Sequence, residues 1–508
     1  MIGKIKPAYE GVEEVYKARL VVIGSGQKFG RDYEETFAPV PHSESVKVVL
    51  SECASQNMKV MQFDISTAFL YADLDKVVYM KQPDGFVTFG KEKLVCKLLK
   101  SVNGLKQAPR LWHKKFRKTL HRLGFIPCRA DPCVYIKKTS TDISYIIVHV
   151  DDAWVGSKSI ETLHEVRKAI GEEYQFRVVP PTRYIGINIT MDLPNSRYFL
   201  SQQHLIEKIL TRFNMDNVYS KVVPADPKVR LCLNNGEQSE GEREYSFREA
   251  VGALLYIALQ TRPDIAYAVG MVARFCAKPT ASHWTALEQI FGYLKSTKEL
   301  GIWVGGEKQP LRSYVDADFA GCSDDSKSTS GCIVFLNSGP VAWSSKKQPV
   351  VALSTTEAEY VAACEGGKTV VWLGYLMEEL LGEKVVKIPL YCDNDGAVKL
   401  VHNPIFHPRT KHVRLKWHWI REQVTDGYFE VKYVRTDDQL ADIFTKALSG
   451  PKFTKMRSRI GIGLVSDLPS MRVRESVADQ SHTLCKRSSN NLYPLRKAPS
   501  KRPKGVAV

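Results

Sequence analysis

The stretch Ile146-Ile-Val-His-Val-Asp151-Asp152-Ala-Trp-Val-Gly-Ser157 decides how the rest of the chain is read. Its upstream half extends an apolar run, ISYIIVHV (143–150), whose unbroken hydrophobicity suits a strand buried on both faces. AWVGS then reads as the return strand, so the two aspartates sit at the tip of a hairpin. Like charges a few ångströms apart resist joint ionisation unless a cation offsets them. Taken alone, Asp151-Asp152 is more often an ordinary turn than a metal site. A third carboxylate on a neighbouring strand would tip that balance. MKVMQFDIS (58–66) supplies one, because it alternates with Met61, Phe63 and Ile65 on one face and Val60, Gln62, Asp64 and Ser66 on the other. Hard oxygen donors without nearby His or Cys favour Mg²⁺.

Residues 160–175 read as helix, YIGINITMD (184–192) as strand, and 200–300 as mostly helical around a polar loop at 233–243. From Leu311 the pattern turns to strands (RSYVDADFA, GCIVFLN, PVAWSSK). A long helix over Thr355–Leu381, the strand KIPLYCD, and further helices and a strand to Leu448 follow. This order indicates a second α/β-type domain. It carries its own carboxylates. Asp316 and Asp318 share one side of a strand, and Asp393 ends a strand before a helix. Ser354-x-x-Glu357 fits a capping box, which leaves Glu359 free. Thr436-x-x-Gln439 fits a second box, and the apolar stripe Leu440, Ile443, Phe444, Ala447, Leu448 leaves Asp442 off the buried face. Asp318, Asp395, Asp437 and Asp438 read as caps or solvated neighbours. His402, His407, His412 and His418 have no cysteine close by, so HPRTKHVRLKWHWIRE is expected to be a basic helix start rather than a zinc site.

At 508 residues, with 44% hydrophobic and 25% charged side chains, the chain is a multidomain globular protein and not a disordered or fibrous one. No apolar run approaches the ~18 residues of a membrane span, and the start lacks a signal-like core, so no membrane partner is expected. Eleven cysteines without a C-x-x-C suit reduced thiols in an intracellular compartment. The net charge is +17, and residues 451–508, with 13 Lys+Arg against 3 Asp+Glu, hold +10 of it. That segment is expected to be a basic, disordered tail, and the charge of the remainder argues only weakly for a polyanionic partner.

YKARLVVIG (16–24), DYEETFAPV (32–40), MQFDISTAFLYADLDKVVYMKQPDGF (61–86), VCKLLKSVNGLKQAPRLWHKKF (95–116), ADPCVYI (130–136) and IIVHVDDAWVGS (146–157) resemble, in order and spacing, the reverse transcriptase of copia-type retrotransposon Pol polyproteins. The resemblance continues through TRPDIAYAV (261–269) and SYVDADFAGCSDDSKSTSGCIVF (313–335) to QLADIFTKAL (439–448). It implies an α+β and α/β multidomain protein, a right-hand polymerase of fingers, palm and thumb followed by a ribonuclease H-like domain. The implied division is 1–195 for fingers and palm, 196–304 for a helical thumb or connection, 305–450 for the ribonuclease H-like domain and 451–508 for the tail. Asp64, Asp151 and Asp152 would hold one Mg²⁺ pair, and Asp316, Glu359, Asp393 and Asp442 another, with Mn²⁺ as an alternative ion. Lys17, Arg19, Phe69, Asn103 and Gln107 fall at nucleotide-binding positions, Phe69 as the gate against a ribose 2′-hydroxyl. The implied partners are an RNA template, a DNA primer, dNTPs and an RNA–DNA hybrid, in a cytoplasmic virus-like particle with access to the nucleus. Two departures stand out: Asn103 replaces the family's usual tyrosine, and the upstream fingers segment is short. They keep open a second expectation, an inactive or domesticated remnant that only binds nucleic acid.

Overall fold

The computed structural model describes residues 2–6, 15–140, 142–233, 246–402 and 419–467. Strands β1 (Ile2–Lys6) and β2 (Val15–Arg19) pair as an antiparallel ribbon. Helix α1 (Ser43–Ser55) is buried from Ser45 to Ala54. It leads through Asn57 into β3 (Lys59–Ile65), and a small hairpin of β4 (Tyr79–Lys81) and β5 (Val95–Lys97) precedes α2 (Ala108–Arg122). Next come β6 (Ile126–Pro127), β7 (Val134–Lys138), β8 (Ile143–His149), β9 (Asp152–Ser157), α3 (Ile160–Glu173) and β10 (Phe176–Val179). These strands form a six-stranded sheet in the order β10-β3-β9-β8-β7-β6.

The continuous apolar run is explained by this sheet. Tyr145 and Ile147 of β8 and Trp154 of β9 enter the large core that contains α1. Ile146, Val148, Ala153 and Val155 enter a second core with Met61, Phe63 and Ile65 under α2 and α3. Both faces are covered, so neither needs polar residues.

The chain continues through β11 (Arg183–Tyr184), β12 (Ile187–Asp192), β13 (Arg197–Ser201), α4 (Gln203–Arg212), α5 (Phe247–Gln260), α6 (Ala266–Ala273), α7 (Ala281–Ser296) and β14 (Gly301–Gly305). Then come β15 (Arg312–Ala317), β16 (Thr329–Leu336), β17 (Gly339–Lys347), α8 (Thr355–Leu381), β18 (Ile388–Cys392), α9 (Asp395–His402), α10 (Trp419–Thr425), β19 (Phe429–Tyr433), α11 (Gly450–Arg459) and β20 (Ile462–Gly463). The second five-stranded sheet runs β17-β16-β15-β18-β19, antiparallel through β15 and parallel from β15 to β18 to β19. Parallel pairing needs a long crossover, and α8 provides it. Its seat on the sheet depends on Gly366, where a Cβ would lie 2.4 Å from Val315 Cγ1.

Two expected boundaries do not survive. The sheet β11-β12-β13-β14-β20 joins strands from either side of residue 195 to β14 and to β20. A cut there would expose paired backbone edges. The tail does not begin at 451, because α11 buries Phe453 and Met456 and β20 extends that sheet. Met1–Val465 forms one unit, and the second, Ser466–Val508, falls almost wholly outside the described residues. Within the first unit the region of the six-stranded sheet and the second α/β region interlock. Asn337 Nδ2 donates to Ser51 Oγ and Glu52 Oε1 on α1, Trp343 Nε1 donates to the Ala258 carbonyl, and Glu379 accepts the N–H groups of Arg129 and Ala130.

The ten described cysteines are free thiols. Among the described residues no helix is long and apolar enough to cross a membrane. His407, His412 and His418 lie outside the described residues, while His402 Nε2 is 3.0 Å from the Val431 carbonyl.

Candidate active sites

The hairpin expected at 143–157 forms, with His149 opposite Asp152 across a two-residue turn. Val150 occupies the first turn position at φ +58°, a conformation a β-branched residue adopts only under constraint. The constraint is visible: buried Trp112 of α2 donates Nε1–H to the Val150 carbonyl at 2.7 Å, and Ile65 N–H donates to the Asp151 carbonyl at 2.9 Å. Asp64 stands directly across from Asp152 in the β3–β9 register, although 88 residues separate them in sequence. Opposed residues on antiparallel strands have Cα atoms about 5 Å apart, so the three aspartates gather at one sheet end.

Their charges feel one another. Burial raises the pKa of Asp151, with Asp64 adding to it. Burial, then Asp151 and Asp64, push Asp152 up to about 6. Among the described residues the carboxylate oxygens of all three do not gather into one tight cluster, and Arg177 reaches across from β10 to donate Nη2 (2.6 Å) and Nε (2.9 Å) to Asp64 Oδ2. Hard oxygen donors short of positive charge suit a divalent cation such as Mg²⁺.

The expected nucleotide-binding residues divide. Arg19 is exposed on β2, and its charge reaches Asp151. The Lys17 side chain lies outside the description. Phe69 sits half-buried in a single 3-10 turn, Ala68–Tyr71, rather than on a strand. Asn103 is half-buried and its carbonyl accepts Val22 N–H. Gln107 is engaged in packing. It is fully buried, its Oε1 accepts from Gln27 and its Nε2 donates to the Asp32 carbonyl, so the amide is consumed in packing the 27–32 segment onto α2.

The second site is tighter. Oxygens of Asp316 on β15, Glu359 on α8 and Asp393 after β18 lie within 4.8 Å of one another, with the first two buried. Each position has a local cause. Ser354 Oγ caps α8 by accepting Glu357 N–H, and Glu357 turns back to accept Leu353 N–H, so Glu359, two residues on, faces the sheet. Asn394 accepts Ala397 N–H at the start of α9, which fixes Asp393 at the strand end. Burial, then Asp316 and Asp393, push Glu359 up to about 10, and burial raises Asp316 despite nearby Lys446. Glu359 in this setting is protonated at neutral pH unless a cation offsets its charge.

Asp442 departs from the expectation in two ways. It is wholly buried rather than off the buried face: Leu440–Phe444 form a 3-10 helix, after another at Thr436–Asp438, and not an amphipathic α-helix. Thr436 does not cap, and Gln439 instead accepts Ala441 N–H and donates to the Val315 carbonyl, pinning the segment to β15. Asp442 is also held apart from the trio. Lys446 Nζ lies 2.7 Å from its Oδ1 and Lys452 Nζ 2.7 Å from its Oδ2. Asp318 is partly buried and accepts Thr329 N–H, which ties its loop to β16. Asp395 and Asp438 pair with Lys399 and with Arg435 and Arg459, as solvated neighbours do.

The reverse transcriptase (RNA-dependent DNA polymerase) family matches residues 4–227. The putative transposon Ty5-1 protein of Saccharomyces cerevisiae is 32% identical over 305 residues, 59% of this chain and 98% of its own length. The chain belongs to the copia-type retrotransposon Pol polyproteins. The Pol polyprotein from transposon TNT 1-94 of Nicotiana tabacum is 38% identical over 453 residues, and that from transposon RE1 of Arabidopsis thaliana 39% over 450. Each alignment covers 88% of this copia-type chain, which spans about a third of those relatives' length (34% and 30%).

Proposed function

We propose that this chain is an RNA-directed DNA polymerase with ribonuclease H activity, one carboxylate site serving each reaction. The observation that carries the reading is the presence of two separate carboxylate groups, Asp64 opposite Asp152 at a strained Asp-Asp turn and the Asp316–Glu359–Asp393 trio, in a chain of the reverse transcriptase family. Asp64, Asp151 and Asp152 would hold Mg²⁺ in the first site, and Asp316, Glu359, Asp393 and Asp442 in the second. Bound Mg²⁺ supplies the Lewis-acid charge that activates a hydroxyl or water and offsets the negative charge of the leaving oxygen.

The protein's own part is positioning. The Trp112 hydrogen bond and the Ile65 bridge keep Asp151 and Asp152 presented at the sheet end. Arg19, whose charge acts on Asp151, would meet an incoming triphosphate. Phe69 would stand against a ribose 2′-hydroxyl. In the second site, Gly331 lets the 439–445 segment lie on β16, since a Cβ there would meet the Ala441 carbonyl at 2.9 Å. The substrates that follow are an RNA template with a DNA primer and dNTPs for the first site, and the RNA strand of a hybrid for the second.

Primer extension on a homopolymer RNA template with Mg²⁺, alongside cleavage of a labelled RNA–DNA hybrid, tests both halves. Extension and cleavage by the purified chain support the reading. Neither activity, with nucleic-acid binding retained, would identify an inactive remnant.

A further inference from the structure

Asp442 is the most completely enclosed carboxylate of the second site, and it has two cations of its own. Lys446, four residues further on, lies 2.7 Å from Oδ1, and Lys452, from the first turn of α11, lies 2.7 Å from Oδ2. Lys446 Nζ is also 3.9 Å from Asp316 Oδ2, so one ammonium group spans the two carboxylates. Thr445 Oγ–H donates to the same Asp316 oxygen. The exposures are asymmetric: the carboxylate is 0% exposed and the lysines 43% and 42%. Asp442 is fixed by its backbone, while each lysine has a solvent path along which to withdraw.

A buried carboxylate stripped of its partner is strongly unfavourable, so a lysine can leave only when another cation replaces it. We propose that Lys446 and Lys452 are internal counter-ions that keep Asp442 out of the metal-binding set until the RNA strand of a hybrid draws them onto its phosphates. In the nucleic-acid-free protein the trio Asp316–Glu359–Asp393 takes one divalent cation, and the place beside Asp442 stays closed to a second. Nucleic-acid binding and the second ion are thereby coupled, and Lys452 makes α11 part of the site. This inference rests on the ribonuclease H reading of the trio. It assigns the lysines a positioning role, since they act on an ion through Asp442.

Mn²⁺ binding followed by electron paramagnetic resonance on the full chain, carrying Asp151→Asn and Asp152→Asn to silence the first site, reads this directly without turnover. One ion is expected without nucleic acid and two with a non-hydrolysable hybrid. Lys446→Met with Lys452→Met should admit the second ion without hybrid, its affinity rising by about tenfold or more, as loss of one competing ion-pair interaction implies. Should the double variant fail to fold, Lys452→Gln alone, on an exposed helix, is expected to shift the second affinity in the same direction. A thermal scan adds a second reading: Mg²⁺ should raise the melting temperature of the double variant more than that of the parent. Unchanged stoichiometry and affinity in the lysine variants, with one ion still bound by the trio, would overturn the counter-ion proposal alone. Absence of any bound ion, unaltered by Glu359→Gln, would overturn the metal reading beneath it.

Discussion

The two carboxylate sites solve the same electrostatic problem in opposite ways. In the first, three half-exposed aspartates sit at a sheet end where water screens them, and an exposed Arg177 steadies one. In the second, Asp316 and Glu359 are buried against a long helix, and the cost of their charge shows as a pKa of about 10 on Glu359. On the proposed polymerase reading, the open site would face the growing duplex. The closed one is preassembled, so its chemistry depends on cations admitted to it. The difference follows from scaffold: a hairpin tip cannot bury its residues, whereas a helix laid on a sheet cannot avoid it.

The largest expected effect tests whether the sites are independent. Asp151→Asn should cut primer extension by orders of magnitude and leave hybrid cleavage, and Asp393→Asn should do the reverse, because each removes charge from only one set. Loss of both activities in one variant, with circular dichroism unchanged, would break the comparison. Phe69→Ala should next raise the ratio of ribonucleotide to deoxyribonucleotide incorporation, by about tenfold or more if a steric gate is lost. An unchanged ratio removes Phe69 from the first site.

Trp112→Phe asks how far the hairpin turn is held from outside. It deletes the donor to the Val150 carbonyl, at a cost of about 1–3 kcal/mol for an unsatisfied buried group, read as a lower melting temperature and slower extension. Hybrid cleavage should change no more than the stability does. Proton linkage separates the sites more finely. Folding raises Asp152 to about 6 and Glu359 to about 10, so between the unfolded and folded pKa values the folded protein binds more protons than the unfolded one. Stability without divalent ions should therefore fall as pH rises from about 5 to 8, and Mg²⁺ should offset the fall. Glu359→Gln should flatten the profile above pH ~7 more than Asp152→Asn does. The smallest effect is expected of Arg177→Met. Its pair with Asp64 is exposed, so stability should move by only about 0–1 kcal/mol. A several-fold lower Mg²⁺ requirement for extension would show that Arg177 competes for Asp64.

Much of this was legible from residue order. Alternation in 58–66 separated Asp64 from Phe63 and Ile65, and the helix over Thr355–Leu381 has the expected limits. The capping pattern at Ser354 correctly set Glu357 to a structural task and left Glu359 free. What misled was amphipathic reading over too short a segment. The stripe Leu440–Leu448 fits an α-helix, yet Leu440–Phe444 turn as 3-10 and bury Asp442. The packing partners of Gln107, Gln27 and the Asp32 carbonyl, were not legible, because a motif position says nothing about which groups an amide satisfies. Arg177 carried no local signal, since its link to Asp64 exists only through strand register.

Sequence by itself determined most of the elements and the carboxylates at their ends. Apolar periodicity is imposed by burial on each strand and helix locally, and carboxylates at strand ends are local facts too. Tertiary structure alone decided which charges meet. Asp64 faces Asp152, Lys452 reaches Asp442 from α11, and the polymerase-like and second α/β regions share a core, because these contacts are set by register and packing between segments far apart in the chain. Electrostatic energy depends on distance in space, and a one-dimensional pattern does not contain that distance.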